Sequence, residues 1–259
     1  MTLTTQVGGV IYLLHAFLFV RFGKQGKPKK LKRRISFVVW YLLICLLVVP
    51  LFARLGGRRA LPVWGMGIRP QNVITVLSNR HYVSTAMYHL VTDVAKTYGS
   101  SKTEGSTRKL CYLDANFPFI EGFPLLPHLS HDDGNKLDLA FHYYNTNNIH
   151  RNTNQSPGLF GYGVYVPPEQ TEFDQVSQCI SSNKYYDITK YVGLRKDGGK
   201  LQFDERNTQR IVELFVDTDV TKIFIEPHLK QRLGVTSSKI RFHGCHSVRH
   251  DDHIHIQID

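Results

Sequence analysis

The last eleven residues, Arg249–Asp259, read RHDDHIHIQID, and they decide how the rest of the chain is organised. On a β-strand successive side chains face opposite sides. Ile254, Ile256 and Ile258 therefore share an apolar face, and Asp251, His253, His255 and Gln257 share the other. The isoleucines would hold this strand against a core, which keeps the imidazoles fixed. Five of the thirteen histidines (His243, His246, His250, His253 and His255) fall in the last seventeen residues.

A second cluster, SHDDGNKLDL, places His131 and Asp138 on either side of Gly134. Glycine permits a turn, so a loop histidine and a strand aspartate can converge. Lys136–Tyr143 alternates cleanly, with Leu137, Leu139, Phe141 and Tyr143 on one face and Asp138, Ala140 and His142 on the other. Two imidazoles and a carboxylate suit Zn²⁺ with a fourth position open to water. Taken singly, a strand histidine is usually a surface or satisfied core residue, and His142, His243 and His246 are read that way. Asp132 and Asp133 read as turn residues. The case for His131, Asp138, His253 and His255 rests on their joint pattern, and spacing alone leaves a structural or adventitious metal strip open.

Working outward, the periodicity predicts a helix over Ser78–Tyr98, a strand over Lys109–Ala115 and a helix over Arg206–Val216. It also predicts a short strand at Lys222–Ile225, a short helix at Pro227–Leu233 and closing strands at Lys239–Phe242 and Asp252–Ile258. Gly99–Thr107 and the Asn-rich Asn145–Pro157 read as polar loops. Strands and helices do not alternate as βαβ units, so the prediction is an α+β domain over residues 60–259, with a small antiparallel sheet and flanking helices.

The formal charge of +11 is confined to one end. Residues 1–59 hold eleven of the 32 Lys and Arg and no acid, leaving 21 basic and 21 acidic residues beyond. That balance removes the basic surface nucleic-acid binding requires. Ile35–Ala53 (ISFVVWYLLICLLVVPLFA) is nineteen residues without a charge, about the length that crosses a bilayer. Val7–Val20, extended back to Leu3, is a second and shorter candidate. The segment between them, RFGKQGKPKKLKRR, carries eight positive charges and is expected to stay in the cytoplasm. Residues 1–59 thus read as a membrane anchor with one or two transmembrane helices and a basic cytoplasmic loop. Gly56–Gln71 reads as a linker, and the domain faces the periplasm or cell exterior. A cleaved signal peptide fits less well, because the residues after the apolar run lack a small-residue cleavage pattern. Cys111, Cys179 and Cys245 lie in the exported part, where one disulfide is permitted and the spacing does not choose the pair.

The two motifs together, S-H-x-x-G-x-x-x-D and a distant H-x-H, resemble the signature of LAS-type zinc metallopeptidases. The terminal R-H-D-D-H-x-H is similar to that of the penicillin-insensitive murein endopeptidases, as is KIFIEPHLKQRLG before it. The resemblance implies a D-Ala-D-Ala peptidase-like fold, with His131, Asp138 and His255 as zinc ligands. It makes His253 the catalytic histidine beside the metal and His250 a further active-site histidine, with Asp251 or Asp252 orienting an imidazole. The implied activity is hydrolysis of peptidoglycan peptides by metal-activated water. The chain departs from those enzymes in its tether and in Asn145–Tyr186, which has no counterpart there. A tethered cell-wall peptide-binding protein without catalysis, or an amide hydrolase acting on another peptide, are the alternatives.

Overall fold

A computed structural model describes residues 1–22, 30–65, 67–100, 108–191 and 193–259. Its centre is the pairing of two strands, β5 (Lys136–Ala140) and β11 (His253–Gln257). They run antiparallel with Ile254 opposite Leu139, His255 opposite Asp138 and Ile256 opposite Leu137. The register carries the sequence alternation into space, with a leucine–isoleucine face on one side and an Asp–His face on the other.

The apolar face is covered by helices. Both α6 (Thr85–Ser100) and α8 (Glu205–Val216) carry apolar residues at helical spacing. Met87, Val91 and Tyr98 from the first, and Ile211, Val212 and Phe215 from the second, share one core with Leu137, Leu139, Ile254 and Ile256. Asp204 caps the second helix by accepting the Asn207 backbone N–H at 3.0 Å. The opposite face of the sheet is roofed by loops, and the polar residues lie there.

Around this pair the sheet extends to six strands, in the order β10-β9-β11-β5-β4-β2. The added strands are β2 (Ile68–Pro70), β4 (Leu110–Tyr112), β9 (Lys222–Phe224) and β10 (Ile240–Arg241). The centre is antiparallel as expected, but both outermost pairs, β10–β9 and β2–β4, are parallel. The mixed α/β organisation is present, in a sheet that is not purely antiparallel.

Several expected boundaries are corrected. Ser78–Tyr98 is helical only from Thr85 on: it begins with a turn after α5 (Val73–Leu77) and β3 (Tyr82–Ser84), then holds all but the last two residues of α6. The apolar spacing continues through the strand because Tyr82 and Val83 are themselves buried. Gly56–Gln71 is not a free linker, since it holds both β2 and β1 (Arg58–Ala60), which pairs with β3. The pairing carries β1 across the boundary expected at residues 59 and 60. The Asn145–Pro157 segment is not a loop but part of a second sheet. That sheet consists of β6 (Tyr143–Asn145), β7 (Asn148–Thr153) and β8 (Leu201–Phe203). Most of the expected loop at Gly99–Thr107 lies outside the described residues.

At the N-terminus, α2 (Gly8–Phe22) packs against a helical run from Lys30 to Leu55. The run comprises α3 (Lys30–Leu43), a π-helical turn at Ile44–Val48 and α4 (Val49–Leu55). His15 Nε2 lies 3.0 Å from Ser36 Oγ between the two helices. The Lys30–Leu55 helix is long and apolar enough to cross a membrane, while the apolar part of α2 is shorter.

Cys179 on α7 (Gln175–Ser182) is disulfide-bonded to Cys245, leaving Cys45 and Cys111 free and buried. Alkylation of the denatured, unreduced chain is expected to modify Cys45 and Cys111 only, with Cys179 and Cys245 becoming reactive after reduction. Mass spectrometry of the modified peptides checks this, and alkylation of Cys179 before reduction would contradict it.

Candidate metal centre

Because β5 and β11 pair with Asp138 opposite His255, these side chains meet on the polar face. His131 reaches the same point from the loop before β5. Gly134, at φ 86°, makes the turn that the sequence suggested. The three side chains approach through His131 Nε2, Asp138 Oδ1 and His255 Nδ1. The separations are 3.2 Å from His131 to Asp138, 3.1 Å from His131 to His255, and 2.9 Å from His255 to Asp138. Tetrahedral zinc, with bonds of about 2.0–2.1 Å, places neighbouring donors about 3.3 Å apart. The donor triangle therefore has the size a small divalent ion requires.

Tautomers agree with that use. His131 Nδ1 lies 2.7 Å from the Ala115 carbonyl, which can only accept. The ring proton is therefore on Nδ1 and the Nε2 lone pair faces the cluster. Carbonyl partners of this kind set the orientation of ligating histidines.

Asp138 has no solvent exposure. Burial alone would raise its pKa, but the imidazoles of His131, His128 and His253 outweigh it and hold the carboxyl well below the usual range. Its two oxygens divide the work. Oδ1 faces His131 and His255, while Oδ2 lies 2.6 Å from His128 Nδ1 and accepts the Tyr162 O–H at 2.8 Å. His128, His131 and Asp138 form a buried group that can hold a metal ion.

The remaining predicted residues lie alongside. His253 Nδ1 is hydrogen-bonded to Asp252 Oδ1, so of the two acids considered it is Asp252 that orients this ring. Asp251 instead pairs with Arg249. His253 Nε2 is buried, has no hydrogen-bond partner among the described residues, and lies 3.7 Å from Asp138 Oδ1. Burial opposes a charge on this ring, yet Asp138 and Asp252 prevail and push its pKa up to about 9. His255 goes the other way, with burial pushing it down to about 3. His250 stacks obliquely on His253 with ring centres 4.8 Å apart, and burial followed by its histidine neighbours keeps it well below its ordinary value.

These rings open on a cavity of about 180 Å³, lined also by Pro127, Leu129, Tyr185 and Val248. His243 and His246, read from sequence as ordinary histidines, line it too. His142 is a core residue as expected, with Nε2 3.3 Å from the Tyr98 hydroxyl, though its buried Nδ1 has no hydrogen-bond partner among the described residues. Asp133 makes the expected turn contacts, accepting the Asn135 N–H at 2.8 Å.

Two residues of the cluster were not singled out in the sequence, His128 and Tyr162. The Tyr162 hydroxyl donates to Asp138 and accepts the Asp114 backbone N–H at 3.0 Å. It is set between Gly161 at φ 93° and Gly163 at φ 75°. A Cβ on Gly163 would stand 2.3 Å from the Thr189 carbonyl oxygen, so the chain passes here only without a side chain. The Gly163 N–H also donates to Asp252 Oδ2, linking this loop to the support of His253. The GYG run within Asn145–Tyr186 was the available signal.

Searches against protein-family models and curated proteins found no match for this chain.

Replacing Tyr162 by Phe removes a hydrogen bond to Asp138 and leaves the Asp114 N–H without its acceptor. Such supporting partners are worth about 10–100-fold in metal affinity. Competition titration with a zinc indicator is expected to show a loss in that range for Tyr162→Phe, and unchanged affinity would contradict the role given to Tyr162.

Proposed function

We propose that the chain is a membrane-anchored zinc metallopeptidase that hydrolyses cross-links or stem peptides of peptidoglycan. The observation that carries the reading is the His131–Asp138–His255 donor triangle with, beside it, a His253 Nε2 that has no hydrogen-bond partner among the described residues. A structural metal site has no use for a buried, oriented imidazole that reaches the cluster with a free nitrogen. A hydrolytic site does, because a proton must move as the peptide bond breaks.

The metal donors are His131 Nε2, Asp138 Oδ1 and His255 Nδ1, with His128 supporting Asp138 from its second oxygen. Zinc bound there supplies a Lewis acid that activates water near neutral pH and polarises the scissile carbonyl. The protein does the rest. Asp252 holds His253 by Nδ1, leaving Nε2 to carry a proton. As an imidazolium, that ring stabilises negative charge developing on the carbonyl oxygen and protonates the departing amine. Tyr162 fixes the Asp138 carboxylate. Leu129 and Tyr185 line the cavity beside the histidines, where they would flank a bound peptide and limit the water around it.

The cell-wall assignment rests on the motif resemblance together with the apolar Lys30–Leu55 helix and the eight positive charges of Arg21–Arg34 that precede its uncharged run. The disulfide fits an oxidising compartment. The domain then sits on the face of the membrane where peptidoglycan lies.

Purified full-length protein is expected to hold stoichiometric zinc and to release muropeptides from isolated peptidoglycan, read by mass spectrometry. His131→Ala and His255→Ala should lose the metal. His253→Ala should keep it and lose about 10²–10⁴-fold in rate, the usual worth of a positioned acid–base group. Stoichiometric zinc in His255→Ala would overturn the ligand set. Full zinc loading with no muropeptide released would overturn the enzyme.

A further inference from the structure

The domain does not stand beyond the end of its apolar helix; it grips the helix partway along. The Tyr41 hydroxyl donates to the Leu77 carbonyl at 2.6 Å. Asn79 Nδ2 lies 3.4 Å from the Tyr41 hydroxyl and 3.3 Å from Cys45 Sγ, and donates to the Thr5 carbonyl at 3.4 Å. Higher up, Val49 and Ala53 pack with Tyr82. Tyr41 precedes Ala53, the end of the uncharged run, by twelve residues, about 18 Å along a helix axis. If that run lies in the hydrocarbon, the part of the domain around Leu77 and Asn79 stands below its outer end.

The surface there is built for lipid. On α5, Val73 is 64% and Ile74 45% exposed, and Leu77 is exposed as well, so this short helix turns its apolar residues outward. The neighbouring loop does the same, with Ile120 57% and Leu126 62% exposed and Phe119 and Leu129 also on the surface. Gln6, just before α2, ties this loop to the N-terminal helices: its Oε1 accepts the Phe119 N–H at 2.8 Å and its Nε2 donates to the Ile120 carbonyl at 3.3 Å. Ile74 and Leu126 line one hollow, so the helix and the loop form one collar. On the anchor's own outer half, Leu46, Leu47, Leu51 and Phe52 are exposed too. A contiguous apolar surface of this kind marks a partner, and its continuity with the spanning helix names that partner as the same bilayer. Glu121, beside Ile120, is exposed and lies 3.9 Å from Arg58.

We infer that the collar formed by α5 and the Phe119–Leu129 loop is immersed in the leaflet on which the domain rests. The inference rests on the membrane-anchor reading and extends it. The immersed loop also carries His128 and leads directly to His131, so the cavity mouth at Leu129 is held at the membrane surface. The site then meets peptides attached to or lying against the bilayer, in preference to polymer farther out.

Spin labels on the full chain in phosphatidylethanolamine–phosphatidylglycerol vesicles test this. Cys45 and Cys111 are buried and Cys179 is bonded to Cys245, so labels go to thiols introduced singly as Val39→Cys, Ile120→Cys, Leu126→Cys and Glu213→Cys. Labels at 39, 120 and 126 are expected to collide more with oxygen than with an aqueous nickel chelate, and the label at 213 the reverse. If 120 and 126 behave like 213 while 39 remains in lipid, the immersed collar is wrong and the anchor stands. If 39 is also aqueous, the anchor reading falls and the collar with it.

Discussion

The structure turns on one buried carboxylate. Asp138 sits in the central strand with no access to water, where an unpaired charge would be prohibitively costly. Its oxygens are instead shared among His128, His131, His255 and Tyr162, with His253 close by. Those groups come from three parts of the chain, the loop before β5, the loop at Tyr162 and strand β11, and four of them are held by something of their own. His131 is held by a backbone carbonyl, His255 by the cross-strand register, Tyr162 by two glycines with positive φ, and His253 by Asp252. A cluster of imidazoles around one buried carboxylate, with the His131 Nε2 lone pair facing it, is a poor way to stabilise a core. It is a good way to hold a cation.

The same pairing explains the division of the fold. Once β5 and β11 are in register, alternation sends Leu137, Leu139, Ile254 and Ile256 to the helices and Asp138, His253 and His255 to the other side. A shift of one residue would exchange the faces. The helices therefore fix the site indirectly, by fixing the strands.

That much was legible in the sequence, because strict alternation has one structural reading and two such strands carried the chemistry. His128 and Tyr162 were not legible for a matching reason: they lie in irregular segments, where no period marks which way a side chain points. The helix expected from Ser78 was too long because Tyr82 and Val83 are apolar for a different cause, packing against the N-terminal helices and the core from a strand. The Asn-rich stretch after Tyr143 hid two strands because they belong to a small three-stranded sheet with little apolar demand. Of the two parallel edge strands, β10 falls within the strand expected at Lys239–Phe242, whereas β2 was hidden, being three residues long and inside the stretch read as a linker. The insertion that had no counterpart among the resembling enzymes proves to roof the site, through Tyr162, Gly163 and the Val166 N–H that donates to the Asp251 carbonyl at 2.7 Å.

The central claim is that His131, Asp138 and His255 hold one metal ion. A crystal structure with anomalous data collected on both sides of the zinc absorption edge tests it most directly. The account predicts one zinc peak about 2.0–2.2 Å from His131 Nε2, Asp138 Oδ1 and His255 Nδ1. A peak held by His128 on the far oxygen of Asp138 with His255 uninvolved, or no zinc peak in the cluster, would contradict it.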